Sequence, residues 1–244
     1  MPMLERIAGN RELKQDLKTA LGSGRIAHSI LLVGEPGCGA GFAARCLAAD
    51  YLYPNGGPHA EAVLRGQDTE SIVVRGEGAS GQIKVEAIRD ARQNIQKSAL
   101  SSDAEGRVLF IYGAQNLNGA SANAMLKIME EPPEGVLFLL TADSLAGVLP
   151  TIRSRCAELQ LGPVEQHEAL PFLRQNGIRV PEDFALIGYD GDAFAYLTVP
   201  PLSTISQVSE EICDRALKLL FERIRNKQID CKEIRLGQSV KPAF

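Results

Sequence analysis

The sequence predicts an α/β fold, a parallel sheet flanked by helices, and three stretches carry that prediction. Ser29–Val33 is a short apolar run that ends in a glycine-rich turn, Gly34 to Gly41, and passes at once into an alanine-rich helical run. Arg107–Tyr112 and Gly135–Thr141 are continuous apolar runs with β-branched and aromatic members, the pattern of strands covered on both faces.

Strand, glycine turn and helix in that order form the layout of a phosphate-binding P-loop. In such a loop the glycines let backbone N–H groups curl around phosphates, a lysine neutralises them, and a Ser or Thr hydroxyl holds magnesium. Gly34, Gly37 and Gly39 stand at the glycine positions, but Ala40 takes the lysine position and Gly41 the hydroxyl position. The core strand 107–112 ends in Tyr112-Gly113, where a hydrolysing protein carries an acidic pair for magnesium and the attacking water. Both half-sites have lost their charged groups, which argues against hydrolysis in this chain's own pocket.

Composition narrows the classes further. With 244 residues and a formal charge of −4, the chain can bury a sizeable core and makes no whole-chain case for nucleic acid; any such contact would be a local patch. No stretch nears the roughly 20 apolar residues of a membrane span, and Met1–Arg6 lacks a signal-peptide core, so a soluble, cytoplasmic protein without membrane contact is expected. Cys38, Cys46, Cys156, Cys213 and Cys231 form no C-x-x-C pair, and His28, His59 and His167 lie far apart, so reduced thiols and no metal site are expected.

The remaining elements follow from spacing. Leu4–Leu21 reads as one helix, stopped by Gly22-Ser23-Gly24; Phe42–Tyr53 reads as another, ended by the breaker cluster Pro54 to Pro58. His59–Asp68 is polar without clear period, and Ser71–Val74 is a short strand before the turn Gly76–Gly81. Ile83–Leu100 has Val85, Ile88, Ala91 and Ile95 at helical spacing, and its bases Lys84, Arg89, Arg92 and Lys97 read as a solvated face. A helix over 120–131 is stopped by Pro132-Pro133, and Leu149–Cys156 is a compact basic loop.

Several of these stretches together resemble one family. Arg25-Ile26-Ala27-His28-Ser29 before the loop, Asn123 to Pro133, and Ser154-Arg155-Cys156 are similar, in order and spacing, to the AAA+ clamp-loader subunits of bacterial replicases, in particular the delta-prime type with its degenerate P-loop. The resemblance implies a P-loop AAA+ domain over about 1–165 that works in DNA replication without hydrolysing ATP. It implies that Arg155, with Ser154 and Cys156, is an arginine finger acting in trans on a neighbouring subunit's ATP, a task suited to a planar, permanently charged guanidinium. It makes Thr141 the sensor 1 position, here structural. The implied partners are clamp-loader motor subunits and, indirectly, the sliding clamp and primed DNA. No ATP, magnesium or zinc is expected on this chain: Tyr51–Ile72, where many relatives insert a four-cysteine module, contains no cysteine.

Beyond a junction at 166–173 the resemblance changes. The segment from Arg174 to Asp190 and then Pro200-Pro201-Leu202-Ser203-Thr204-Ile205 are similar to the lactose-repressor-like regulators, which implies a partial α/β, periplasmic-binding-protein-like segment over 174–244. It implies a buried strand at 184–188 with Asp190 at its carboxyl end as a possible effector contact, an amphipathic helix over 208–224 and a closing strand at 233–236. Most of that family's pocket is absent, so a sugar-responsive regulator fragment is the alternative function, and an active P-loop ATPase a third reading opposed by Ala40, Gly41, Tyr112 and Gly113. The chain thus reads as a composite, with the tail expected to unfold separately.

Overall fold

A computed structural model describes residues 2–78, 81–96, 101–175, 177, 187–189, 203–206, 213–218, 221–222 and 239–241. The chain divides into two compact units, Met1–Leu170 and Pro171–Phe244.

The first unit is built on five parallel strands: β1 (Ser29–Val33), β2 (Ser71–Arg75), β3 (Arg107–Tyr112), β4 (Val136–Ala142) and β5 (Ala157–Gln160). They lie side by side in the order β2-β3-β4-β1-β5. Each central strand sends alternate residues to opposite faces. Ile30 and Leu32 enter one apolar layer and Leu31 and Val33 the other; Phe110 and Leu109 divide in the same way on β3. Burial on both faces explains why the central strands read as unbroken apolar runs.

Two layers of helices cover the sheet. One holds α1 (Arg11–Gly22), α2 (Ala40–Leu52) and α3 (Pro58–Arg65); the other holds α4 (Val85–Ile95), α5 (Gly119–Glu130) and the short α6 (Pro150–Arg153). On α2 the small residues Ala43, Ala44, Ala48 and Ala49 are fully buried, which lets the helix approach the sheet closely. The capping box at the start of α5 is complete: the Asn118 side chain accepts from the Ser121 N–H and the Ser121 hydroxyl from the Asn118 N–H, both at 2.9 Å. An additional helix, α7 (Gln166–Gln175), follows β5.

Several boundaries differ from expectation. The single helix expected over 4–21 is a 3-10 turn at Met3–Arg6 and then α1, because Gly9 and Asn10 adopt positive φ and interrupt the ladder. The polar stretch 59–68 hides α3, which starts with Pro58 in its first turn and buries only Ala60 and Val63. The basic stretch 149–156 contains α6, and β5 follows it with a mostly exposed pattern that leaves no apolar signature.

In the second unit β6 (Ile187–Tyr189) pairs in parallel with β7 (Ser203–Ser206), which pairs antiparallel with β8 (Ser239–Lys241). Within the expected helix, residues 213–218 and 221–222 are helical, and Leu217 and Phe221 are exposed. The closing strand expected at 233–236 lies outside the described residues; β8 follows that position. Asp190 also lies outside the described residues.

Among the described residues no helix is long and apolar enough to cross a membrane.

Candidate functional site

Glu35–Cys38 forms a tight turn closed by the Cys38 N–H, which donates to the Glu35 carbonyl at 3.0 Å. Pro36 and Gly37 occupy its centre, and Gly37 at φ 93° takes the positive-φ position that a type II turn reserves for glycine. Gly39, at φ 91°, caps α2 with no side-chain oxygen, so the first N–H groups of α2 face the loop without an intrahelical partner. Gly34 is required by crowding: a Cβ there would sit 2.4 Å from Cys38 Sγ and 3.2 Å from the Leu161 carbonyl oxygen. The loop borders a cavity of about 660 Å³, with Asp143–Leu145 and Gln160–Val164 on its other walls.

Positions 41 and 112, where the P-loop pattern places a hydroxyl and a carboxylate, meet in space. Gly41 packs against Tyr112 so closely that a Cβ at 41 would lie 3.3 Å from ring atom Cε1. The ring thus abuts the position at which the P-loop pattern places a hydroxyl. Tyr112 is itself held in place: its ring stacks on Phe110 at 5.7 Å, and its hydroxyl accepts from Arg45 Nε at 3.1 Å. Gly113 follows at φ 79°, and its N–H donates to Thr141 Oγ1 at 3.2 Å. Thr141 therefore ties the end of β4 to the end of β3.

Arg155 follows α6, with its side chain 37% exposed. Its Nη1 donates to the Thr151 carbonyl at 3.1 Å and its Nη2 to Glu130 Oε1 at 2.6 Å, at the carboxyl end of α5. Ser154 is exposed, and its hydroxyl donates to the Thr151 carbonyl at 3.1 Å. The neighbouring Arg153 is engaged differently, by both oxygens of Glu158 at 2.9 and 3.4 Å. Cys156 is half-buried against the core layer that holds α4 and α5, and burial, with Glu158 adding, pushes its thiol up to about 12.

Two groupings have no counterpart in the sequence reading. Arg89 and Arg92 of α4, expected as part of a solvated face, and Lys127 of α5 line a groove of about 350 Å³ between those helices. Arg89 and Arg92, three apart on a helix, were the one available sign. Arg45 and Arg75 flank the Tyr112 ring, at 5.9 and 5.5 Å from its centroid; they are thirty residues apart in the chain, and nothing local links them. Among the described residues no group of three His, Cys, Asp or Glu side chains could hold a metal ion.

Residues 9–165 match the family described as DNA polymerase III, delta subunit, and residues 112–242 match the periplasmic binding protein-like domain. In the stretch that both claim, β4 and β5 pair in parallel with β1 and so belong to the five-stranded sheet. The chain is 31% identical over 174 residues to the DNA polymerase III gamma subunit of Buchnera aphidicola subsp. Acyrthosiphon pisum, covering 69% of this chain and 47% of that protein. It is 37% identical over 92 residues to the delta' subunit of Haemophilus influenzae, covering 38% of this chain and 28% of that protein. Over 59 residues it is 46% identical to the HTH-type transcriptional repressor PurR of Mannheimia succiniciproducens, covering 24% of this chain and 18% of that one. The chain spans less than half the length of each of these three relatives. A RuvB structure from Thermotoga maritima shares the fold at TM-score 0.53 and 18% identity, covering 72% of this chain and 52% of that one. With well over half of its residues matched, the chain belongs to the DNA polymerase III delta subunit family and carries a periplasmic-binding-protein-like stretch in the same polypeptide.

Proposed function

We propose that this chain is a non-hydrolysing, delta-prime-like subunit of a bacterial clamp loader that lends Arg155 to the ATP site of a neighbouring motor subunit. One observation carries the reading. The predicted finger is at the surface and held by an exposed ion pair, whereas the chain's own loop faces an aromatic ring. An exposed pair of this kind contributes only about 0–1 kcal/mol, so exchanging Glu130 for phosphate oxygens costs Arg155 little.

The loop and its surroundings do not fit a magnesium nucleotide. No cationic side chain stands at 40, no hydroxyl at 41 and no carboxylate at 112 or 113, and the Tyr112 ring abuts Gly41. In this reading the chain holds neither ATP, magnesium nor zinc of its own. Residues 1–165 act as the AAA+ unit, 166–173 as a junction and 174–244 as an effector-like segment. The Arg89, Arg92 and Lys127 groove gives the assembly a positive surface for the phosphates of primed DNA. The sugar-responsive alternative rests on Asp190, which lies outside the described residues, and on the periplasmic-binding-protein-like match.

The test is reconstitution with the cognate motor subunits. Arg155→Ala should leave assembly intact and slow hydrolysis at the one neighbouring site it serves by about 10³-fold or more, the scale of an arginine finger, whereas Arg153→Ala should not. An assembled Arg155→Ala complex with unchanged ATPase, or failure of the unaltered chain to assemble, would overturn the proposal.

A further inference from the structure

Arg155 is held at two points and is still open at three. Its Nη1 donates to the Thr151 carbonyl at 3.1 Å and its Nη2 to a single oxygen of Glu130 at 2.6 Å. A guanidinium carries five N–H donors, so Nε–H and one N–H on each terminal nitrogen have no partner among the described residues. Arg153, two residues earlier, differs in that both oxygens of Glu158 are spent on it.

Both points that hold Arg155 belong to elements fixed by packing. Glu130 is the last residue of α5; Ile128 and Met129 just before it are each 2% exposed, and Pro132-Pro133 keep the helix from running on. Thr151 lies in α6, which is pinned through the fully buried Ile152. The carboxyl end of a helix also carries partial negative charge, which adds to the pull of Glu130 on the guanidinium. Without Glu130, one neutral hydrogen bond to Thr151 would remain on a side chain with several freely turning bonds, too little to fix its direction.

We infer that Glu130 is a positioning residue: it fixes the direction of the Arg155 guanidinium while leaving three donors for the oxygens of a neighbouring subunit's triphosphate. The inference rests on the arginine-finger reading of Arg155. One Nη2 hydrogen can stay on Glu130 while the free N–H groups meet phosphate, so the exchange that so weak a pair permits is not required. Misplacing a catalytic group by about 1 Å can cost 10²-fold in rate, and loss of one of two holding points should cost about tenfold.

Single-turnover hydrolysis at the served site, in the full chain reconstituted with its motor subunits, tests the role. Glu130→Ala should slow the maximal rate by about tenfold and leave the ATP affinity of that site within about twofold. Glu130→Gln, which keeps an acceptor for Nη2, should return the rate to within about threefold of the unaltered chain. The exposed neighbour Glu131→Ala should change nothing, and Glu130→Ala added to Arg155→Ala should cause no further loss. Since an exposed pair adds little stability, Glu130→Ala should move the thermal midpoint of the chain by no more than about 2–4 °C. An unchanged or faster rate in Glu130→Ala while Arg155→Ala slows it, a further loss in the double variant, or failure of Glu130→Ala to assemble would overturn the positioning role and leave the finger standing. No effect of Arg155→Ala would overturn the finger, and this inference with it.

Discussion

Replacing Gly41 by Thr tests whether positions 41 and 112 are coupled through one ring. Gly41 lies in the first turn of α2, where Thr should gain a few tenths of a kcal/mol in helix propensity over Gly. Against that stands crowding. The added Cβ would lie 3.3 Å from Tyr112 Cε1, tighter than ordinary contact, and the two further heavy atoms of Thr would have to go beside a ring fixed by Phe110 and Arg45. Overpacking of this kind costs about 1–3 kcal/mol, so the net expectation is a destabilisation of about 1–2 kcal/mol. In a background of Tyr112→Ala the penalty should vanish, leaving an interaction energy of about 1–2 kcal/mol in a double-mutant cycle. Urea unfolding followed by far-UV circular dichroism measures all four corners of the cycle. The same crowding predicts that Ala40→Lys with Gly41→Thr binds magnesium-ATP only when Tyr112→Asp is added. A coupling below about 0.5 kcal/mol, or tight magnesium-dependent ATP binding with Tyr112 in place, would refute the reasoning.

Two further outcomes follow from buried groups. Glu70 is fully buried at the edge of β2, 3.5 Å from Arg107 Nε, and accepts from the Ser101 N–H at 2.8 Å; Glu70→Ala should cost about 3–5 kcal/mol by stranding the arginine, and a shift below about 1 kcal/mol in urea unfolding would contradict this. Burial pushes the thiols of Cys46 and Cys156 up to about 12, so at pH 8 almost none of either is thiolate. Mass-spectrometric mapping of iodoacetamide labelling should find exposed Cys213 modified well before these two, and equal labelling of Cys156 would contradict its burial.

The sequence carried the parts of the architecture that are driven by local pattern. β1, β3 and β4 were legible because burial on both faces demands unbroken apolar runs, and the loop was legible because a tight turn before a helix demands glycines at fixed spacing. Elements with little buried surface left no such trace. In β5 most residues are exposed, and α3 spans only Pro58–Arg65 and buries only Ala60 and Val63, so both are too short and too little buried to stand out. The positive φ of Gly9 and Asn10, which splits the first helix, was equally invisible in a sequence whose apolar spacing runs through it.

The residues alone place Ala40 and Gly41 where the P-loop pattern has a lysine and a hydroxyl, and Tyr112-Gly113 at the end of the following core strand, because those are questions of residue type at known spacing. Only the tertiary structure decided that Tyr112 abuts Gly41, that Glu130 holds Arg155 from 25 residues away, and that three arginines share one cavity beside Tyr112. Such contacts depend on strand register and on how each helix lies against the sheet, and those are set by the packing of the whole layer rather than by neighbours in the chain.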